Sequence, residues 1–417
     1  MIKTEYGRFD APFYQQKLEN GLNVIFLPRN CKLKTAVLYL PSGAYRHEEY
    51  INNVKTPFSS AYVLEHLVLN ERRKNKFLEM KTLATSKLEY SYTLFKLETL
   101  NDIFTPLQEL LNIFLKEDFK EEEIEELKKE NKDYLLEIEK NPTIEVEKGL
   151  LDNLYVSSMI KKGIYPSYSD VNLIHCSTIK NYIKKYTQAN EMTIFISGDL
   201  NVEEVSKKIE ELKVPQTSLI KVKEIKNEEV YDRVNKPYSE KSVESLDSNY
   251  LSFGIKFAKR QELYEAFGQL LFEFYEILIP SLFTENITFL EGLSNVQARL
   301  IDAKLEQAGE DTCIILTFKT MGSNDLIKFL TEYTSKLEKR ISSKEFKNYL
   351  DNYYAKNLEK LSLSNTALDE FSRIYANNLA YTGLIASILK MSFNTYRNFL
   401  SKIDHFPKAA YYLVKKD

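Results

Sequence analysis

The residues best suited to chemistry lie in "SSAYVLEHLVLN", Ser59 to Asn70. Glu65 and His66 are adjacent in an apolar run whose spacing predicts a helix, and Tyr62 stands one turn earlier. At i, i+3 and i+4 these three side chains share one helix face. A helix of the form His-x-x-Glu-His holds zinc with its two imidazoles and uses its glutamate as general base toward metal-bound water. In this chain Tyr62 occupies the place of the first imidazole. Any third ligand must come from another element. The charged run "KEEEIEELKKENKDYLLEIEK" offers Glu130 and Glu137, two helical turns apart and therefore on one face. Without further context, a single His on an apolar helix reads as a core residue, and two acids in a charged helix read as solvated surface. No other constellation is marked by its spacing, while a Ser/His/Asp or Cys/His set assembled from distant residues stays open on sequence alone. His47-Glu48 would need a His at position 51, which is Ile51, while His175 and His405 stand isolated. There is no Gly-x-Ser-x-Gly elbow and no glycine-rich phosphate loop.

The elements that must carry these residues are legible from periodicity. "GLNVIFLP" (Gly21–Pro28) and "KTAVLYLPSG" (Lys34–Gly43) are β-branched and aromatic runs bounded by turn residues, hence strands. A helix over about Pro57–Leu69 follows, and "TSKLEYSYTLFKLETL" alternates like a strand. "DIFTPLQELLNIFLK" is an amphipathic helix. The long charged helix after it ends at Asn141-Pro142, where a further helix begins. The second half repeats this order. "STIKNYIKKY" before "MTIFISGD" matches "NTYRNFLSKI" before "AAYYLVKKD", "NDIFTPLQELL" matches "NDLIKFLTEYT", and "LEIEKNPTIEVEKGLLDNLY" matches "LEKLSLSNTALDEFSRIYANNL". The expectation is an α+β chain of two tandem homologous units, residues 1–220 and 244–417. The polar, proline-bearing stretch 221–243 between them reads as a linker.

Composition narrows the function classes. Lys and Arg number 57 against 60 Asp and Glu, so no basic excess favours nucleic acid. No apolar run reaches the 18 or so residues of a membrane span. The start of the chain has no apolar segment of the secretory kind, and the three scattered cysteines form no framework. The expected setting is cytoplasmic and reducing, with neither nucleic acid nor membrane as partner.

The first unit resembles the pitrilysin/insulinase-type peptidases, the family that includes the mitochondrial processing peptidases and their bacterial relatives. The resemblance is carried by "LENGLNVIFLP", by "VLYLPSGAYRHEE", by "AYVLEHLVL" in the place of the family's His-x-x-Glu-His helix, by "ENKDYLLEIEKNPTIEVEKGLLDNLY", and by "MTIFISGDL". It implies mostly antiparallel sheets covered by helices. It also implies His66 and Glu137 as zinc ligands, Glu65 as the now vestigial general base, Glu130 as an accessory acid, and Tyr62 in place of the first ligand. The family's second unit carries an Arg and a Tyr that hold substrate. The corresponding stretch here, "PSLFTENITFLEGLSNV", has no Arg between Ser281 and Leu282 and has Asn295 in place of the Tyr.

In this family four such units enclose a chamber and come from one long chain or from two chains of about this length. The resemblance therefore implies a subunit that is non-catalytic on its own. It would pair with a catalytically competent paralogous chain, or with a second copy of itself, around a peptide substrate held by strand addition, as in peptide maturation. An active zinc endopeptidase with an altered first ligand, or a non-enzymatic structural subunit, would fit the same fold.

Overall fold

The chain is seen in a computed structural model, which describes residues 1–6, 9–45, 48–117, 119–225, 228–362, 364–376 and 391–416. Its strands are β1 (Ile2–Tyr6), β2 (Phe9–Lys17), β3 (Asn23–Pro28), β4 (Lys34–Leu40), β5 (Glu48–Ile51), β6 (Val54–Thr56), β7 (Thr82–Leu88) and β8 (Thr93–Thr99). They continue with β9 (Thr193–Gly198), β10 (Val222–Ile225), β11 (Tyr238–Val243), β12 (Asn249–Lys256), β13 (Ala298–Ala308), β14 (Asp311–Thr320) and β15 (Lys408–Lys415). The helices that matter most for the site are α1 (Ser60–Val68), α2 (Glu71–Glu79), α3 (Phe104–Lys116), α4 (Glu121–Lys140) and α5 (Pro142–Leu154). Asn141 caps α5 by accepting from the Thr143 N–H, and Pro142 takes the first helical position, where no N–H is needed.

The chain divides into two compact units that interleave along the sequence. One comprises Met1–Leu136, Ile164–Lys226 and Asn357–Thr382; the other comprises Glu137–Gly163, Asn227–Lys356 and Gly383–Asp417. The first unit is built on a seven-stranded sheet of order β1-β2-β3-β9-β4-β8-β7, and the second on a five-stranded sheet of order β11-β15-β12-β14-β13. In the first, β3 and β9 are parallel and the other pairs antiparallel; in the second, β11 and β15 are the parallel pair. The five strands β3-β9-β4-β8-β7 thus recur as β11-β15-β12-β14-β13, with the same order and directions. This is the α+β fold class expected from the sequence. One reading changes in detail. "TSKLEYSYTLFKLETL" forms parts of two strands, because the Glu89 N–H donates to the Tyr92 carbonyl at 2.9 Å and closes a hairpin between β7 and β8.

Side-chain alternation assigns the two faces of the first sheet. Val24, Phe26, Ala36, Leu38, Ile194 and Ile196 enter one core with residues of α1, α3 and α4. Ile25, Leu27, Val37, Tyr39 and Phe195 point the other way and are covered by the helix Ser364–Ala376 through Ala367, Leu368 and Phe371. In the second unit, α5 covers a sheet face through Val146, which packs with Tyr250 and Leu413. Two glycines allow that approach. A Cβ at Gly149 would stand 2.4 Å from the Tyr411 ring, and one at Gly254 would stand 2.7 Å from Leu154.

The stretch read as a linker contains β10, β11 and a buried anchor. The Glu229 carboxylate accepts from the backbone N–H groups of Val156, Ser157 and Ser158 and from Lys256 Nζ at 2.6 Å. The Lys256 side chain is 0 % exposed and also donates to the Arg233 carbonyl. Burial pushes the Glu229 carboxyl up, but the Lys256 ammonium and the backbone donors more than reverse this and hold it at about 2. The carboxylate therefore adds stability above its unfolded pKa, and that contribution is lost as pH falls toward 2. Urea unfolding should show the wild type losing on the order of 3 kcal/mol between pH 5 and 2 through this group. Glu229→Gln should flatten that part of the profile. An unchanged acid limb in Glu229→Gln would show that the anchor does not set it.

Candidate functional site

Helix α1 is buried nearly all round: Ser60, Ala61, Tyr62, Val63, Leu64, Leu67 and Val68 are enclosed. Its ends are tied to neighbours. Ser59 Oγ donates to the Asp170 carbonyl at 2.8 Å, and the Arg73 guanidinium donates to the Leu67 carbonyl in the last turn, where a cation also suits the helix dipole. Arg73 in turn pairs with Glu123 on α4 at 3.4 Å. Only Glu65 and His66 keep partial exposure, with side chains 13 % and 33 % accessible. The face expected from sequence spacing is therefore present, with Tyr62 at its buried end.

Tyr62 is 3 % exposed. Its hydroxyl donates to Asn131 Oδ1 on α4 at 3.2 Å, and Asn131 Nδ2 donates to the Leu127 carbonyl at 3.0 Å. That chain of bonds makes the phenol a donor and hence neutral. Burial, with Tyr134, Glu65 and Tyr165 nearby, pushes its pKa well above the ordinary tyrosine value. The His66 ring lies against the Tyr62 ring, centroids 4.1 Å apart, and its Nδ1 donates to the Tyr62 carbonyl at 3.0 Å. In the neutral imidazole this leaves Nε2 as the acceptor nitrogen. The Glu65 carboxylate stands 3.8 Å from His66 Nδ1.

The structure brings Tyr62, Glu65, His66 and Asn131 together. A cavity of about 320 Å³ beside His66 is walled in part by Glu126, Glu130 and Asn131 of α4, so Glu130 shares it with His66. Glu137 is exposed and is not part of that wall. The reason lies in the rotation of α4. Its buried stripe runs through Ile124, Leu127, Lys128 and Leu135, and Asn131 falls within it. Glu130 and Glu137 lie roughly a third of a turn away at 100° per residue. Asn131 is the residue that spacing did not single out. The available signal was a carboxamide on an apolar stripe. His175 pairs with Glu121 at 3.1 Å on the surface, and His47 lies outside the described residues.

The zinc that the resemblance implies can be tested against these donors. Zinc takes thiolate, imidazole or carboxylate ligands, three of them from protein in hydrolytic sites. The cluster supplies one imidazole, the Glu65 carboxylate that the resemblance casts as general base, a neutral phenol and a carboxamide, with Glu130 on the wall of the adjoining cavity. No group of three or more His, Cys, Asp or Glu among the described residues is placed to hold a metal ion. The donor set does not fit zinc. The purified chain with Tyr62→His alone should hold well under one equivalent of zinc, and Tyr62→His with Asn131→Glu should hold about one. Stoichiometric zinc in the single variant, lost on adding Glu137→Gln, would assign the third ligand to Glu137 and overturn the role given to Asn131.

No family model matches the chain. It is 21 % identical over 249 residues to the uncharacterized zinc protease YmfH of Bacillus subtilis; the match covers 57 % of this chain and 58 % of that protein. An M16-like peptidase from Alicyclobacillus acidocaldarius superposes with a TM-score of 0.83 at 15 % identity, covering 99 % of this chain and all of that one. A peptidase M16 inactive domain from Pseudomonas fluorescens superposes with a TM-score of 0.74 at 13 % identity, covering 97 % and 99 % of the two chains.

Proposed function

We propose that this chain, which has the M16-like fold of the pitrilysin/insulinase-type peptidases, is a non-catalytic subunit that grips peptides beside a competent peptidase chain. One observation carries the reading: the first ligand position holds a buried, neutral Tyr62 whose hydroxyl is committed to Asn131. Glu65 occupies the place of the general base, and His66 is the single imidazole of the cluster among the described residues. The altered stretch around Ser281 and Asn295 supports the same reading.

Peptide binding does not depend on those side chains. β7 forms the edge of the seven-stranded sheet, and its residues alternate between buried and exposed along the strand. An extended peptide would pair with the outer backbone groups of β7, and its side chains would point alternately to either face. The substrate is then an extended or unfolded peptide, such as a precursor undergoing maturation. The partner is a paralogous chain with an intact His-x-x-Glu-His helix; a second copy of this chain is the other possible assembly.

Purification from the native host should recover the chain with such a partner, and the pair should cleave peptides while this chain alone does not. Binding of an extended peptide should weaken at least tenfold when its amides are N-methylated in one alternating register but not in the other, because only one set faces the edge strand. Equal binding in both registers would remove strand addition from the proposal. Stoichiometric zinc in the wild type, lost in His66→Ala, would replace it with an altered but active peptidase. Stable assembly without any peptide binding would replace it with a structural subunit.

A further inference from the structure

A cavity of about 250 Å³ opens among α2, α3 and the start of α4. Phe77 and Ile113 give it an apolar floor. Five cations reach its wall: Arg72, Arg73, Lys76, Lys116 and Lys120. Two carboxylates, Glu109 and Glu123, share the wall, and both are already engaged. Lys76 pairs with Glu109, and Arg73 pairs with Glu123 at 3.4 Å. Arg73 is held further by the Leu67 carbonyl and by the Phe119 ring, 5.1 Å from its guanidinium carbon. The side chains of Arg72, Lys116 and Lys120 have no partner among the described residues. The chain as a whole carries a net charge of −3, so this concentration of positive charge is a local feature. Three uncompensated cations on one concave wall repel each other and attract a compact anion.

We propose that this cavity binds a small polyanion carrying two or more phosphoryl groups. One carboxylate brings a single charge. A phosphoryl group brings about 1.5 to 2 negative charges and three acceptor oxygens, so two linked groups match three free cations. The planar Arg72 fork suits paired phosphate oxygens, and the lysines act as point charges around it. The volume lies below the range usual for whole drug-sized ligands, which points to a diphosphate or triphosphate end entering first. The cavity shares Arg72 and Glu123 with the cavity beside His66, so the two adjoin.

Calorimetric titration of the full chain with inorganic pyrophosphate and tripolyphosphate at low salt tests this. The expected result is one site per chain with a dissociation constant of about 10–100 µM. Arg72→Gln, Lys116→Gln and Lys120→Gln should each weaken it roughly tenfold, and the triple variant should abolish it. Binding should also fall as salt rises to about 0.5 M, since exposed charges are screened. Circular dichroism of the triple variant should match the wild type, because all three side chains are exposed. No binding at about 5 mM ligand, or undiminished binding by a folded triple variant, overturns the proposal. Cavity-dependent binding of a tri-glutamate peptide in preference to tripolyphosphate overturns it too, by assigning the site to acidic peptide.

Discussion

A sheet buried on both faces needs two layers of cover, and in each unit one layer is drawn from the other half of the sequence. The helix Ser364–Ala376 closes over Ile25, Leu27, Val37, Tyr39 and Phe195 of the first sheet. In the second unit α5, from the first half of the chain, lies on β12 and β15, with Gly149 and Gly254 letting it close. Residues 1–220 in isolation would leave the Ile25–Phe195 face open to water, at roughly 25 cal/mol per Å² of apolar surface. The cover is also polar in places: Glu147 on α5 accepts from Lys304 and from Thr317, and Lys96 on β8 donates to Asp369. Neither half of the sequence therefore completes the cover of its own sheet without the other half.

That constraint limits what can change. Helix α1 sits in the main core of the first unit and is enclosed on almost every side. A substitution at position 62 must fill space and satisfy any polar atom it brings. Tyr62 does both: its ring packs against His66, and its hydroxyl meets Asn131. Ring contact and hydrogen bond together make this a packed arrangement that satisfies its own polar atoms. Asn131, with its nitrogen bonded to the Leu127 carbonyl, offers its oxygen to the phenol and no carboxylate to a metal.

The sequence made some of this readable and hid the rest for definable reasons. β3, β4 and α1 were legible because strong local periodicity agrees with their burial. Duplication was legible because the amphipathic helices recur in order, and the strand orders repeat accordingly. The hairpin between β7 and β8 was not, because alternation continues through Glu89–Tyr92 and only a backbone hydrogen bond marks the turn. The exchange of helices is a tertiary fact with no local signature. At the site, the common face of Tyr62, Glu65 and His66 follows from helix geometry alone. Which face of α4 turns inward does not. A spacing of seven shows that Glu130 and Glu137 share a side, whereas Ile124, Leu127 and Leu135 decide which side is buried. The deciding residue on that side, Asn131, carries no metal-site pattern to announce it.

Catalytic and binding functions place unequal demands on such a scaffold. Hydrolysis on zinc needs several side chains of fixed type within bonding distance of one point, and the loss of one ligand removes most of the site. Strand addition needs an unpaired backbone edge, which β7 presents among the described residues so long as β8 and β4 hold it in register. The register itself depends on Ala84, Phe95 and Leu97 in the main core, which also contains Tyr62. A core that accommodates Tyr62 therefore also holds the strands that keep this edge in register. On the proposed reading, the demands of metal chemistry and of strand addition fall on different parts of one core, so the second does not require the first.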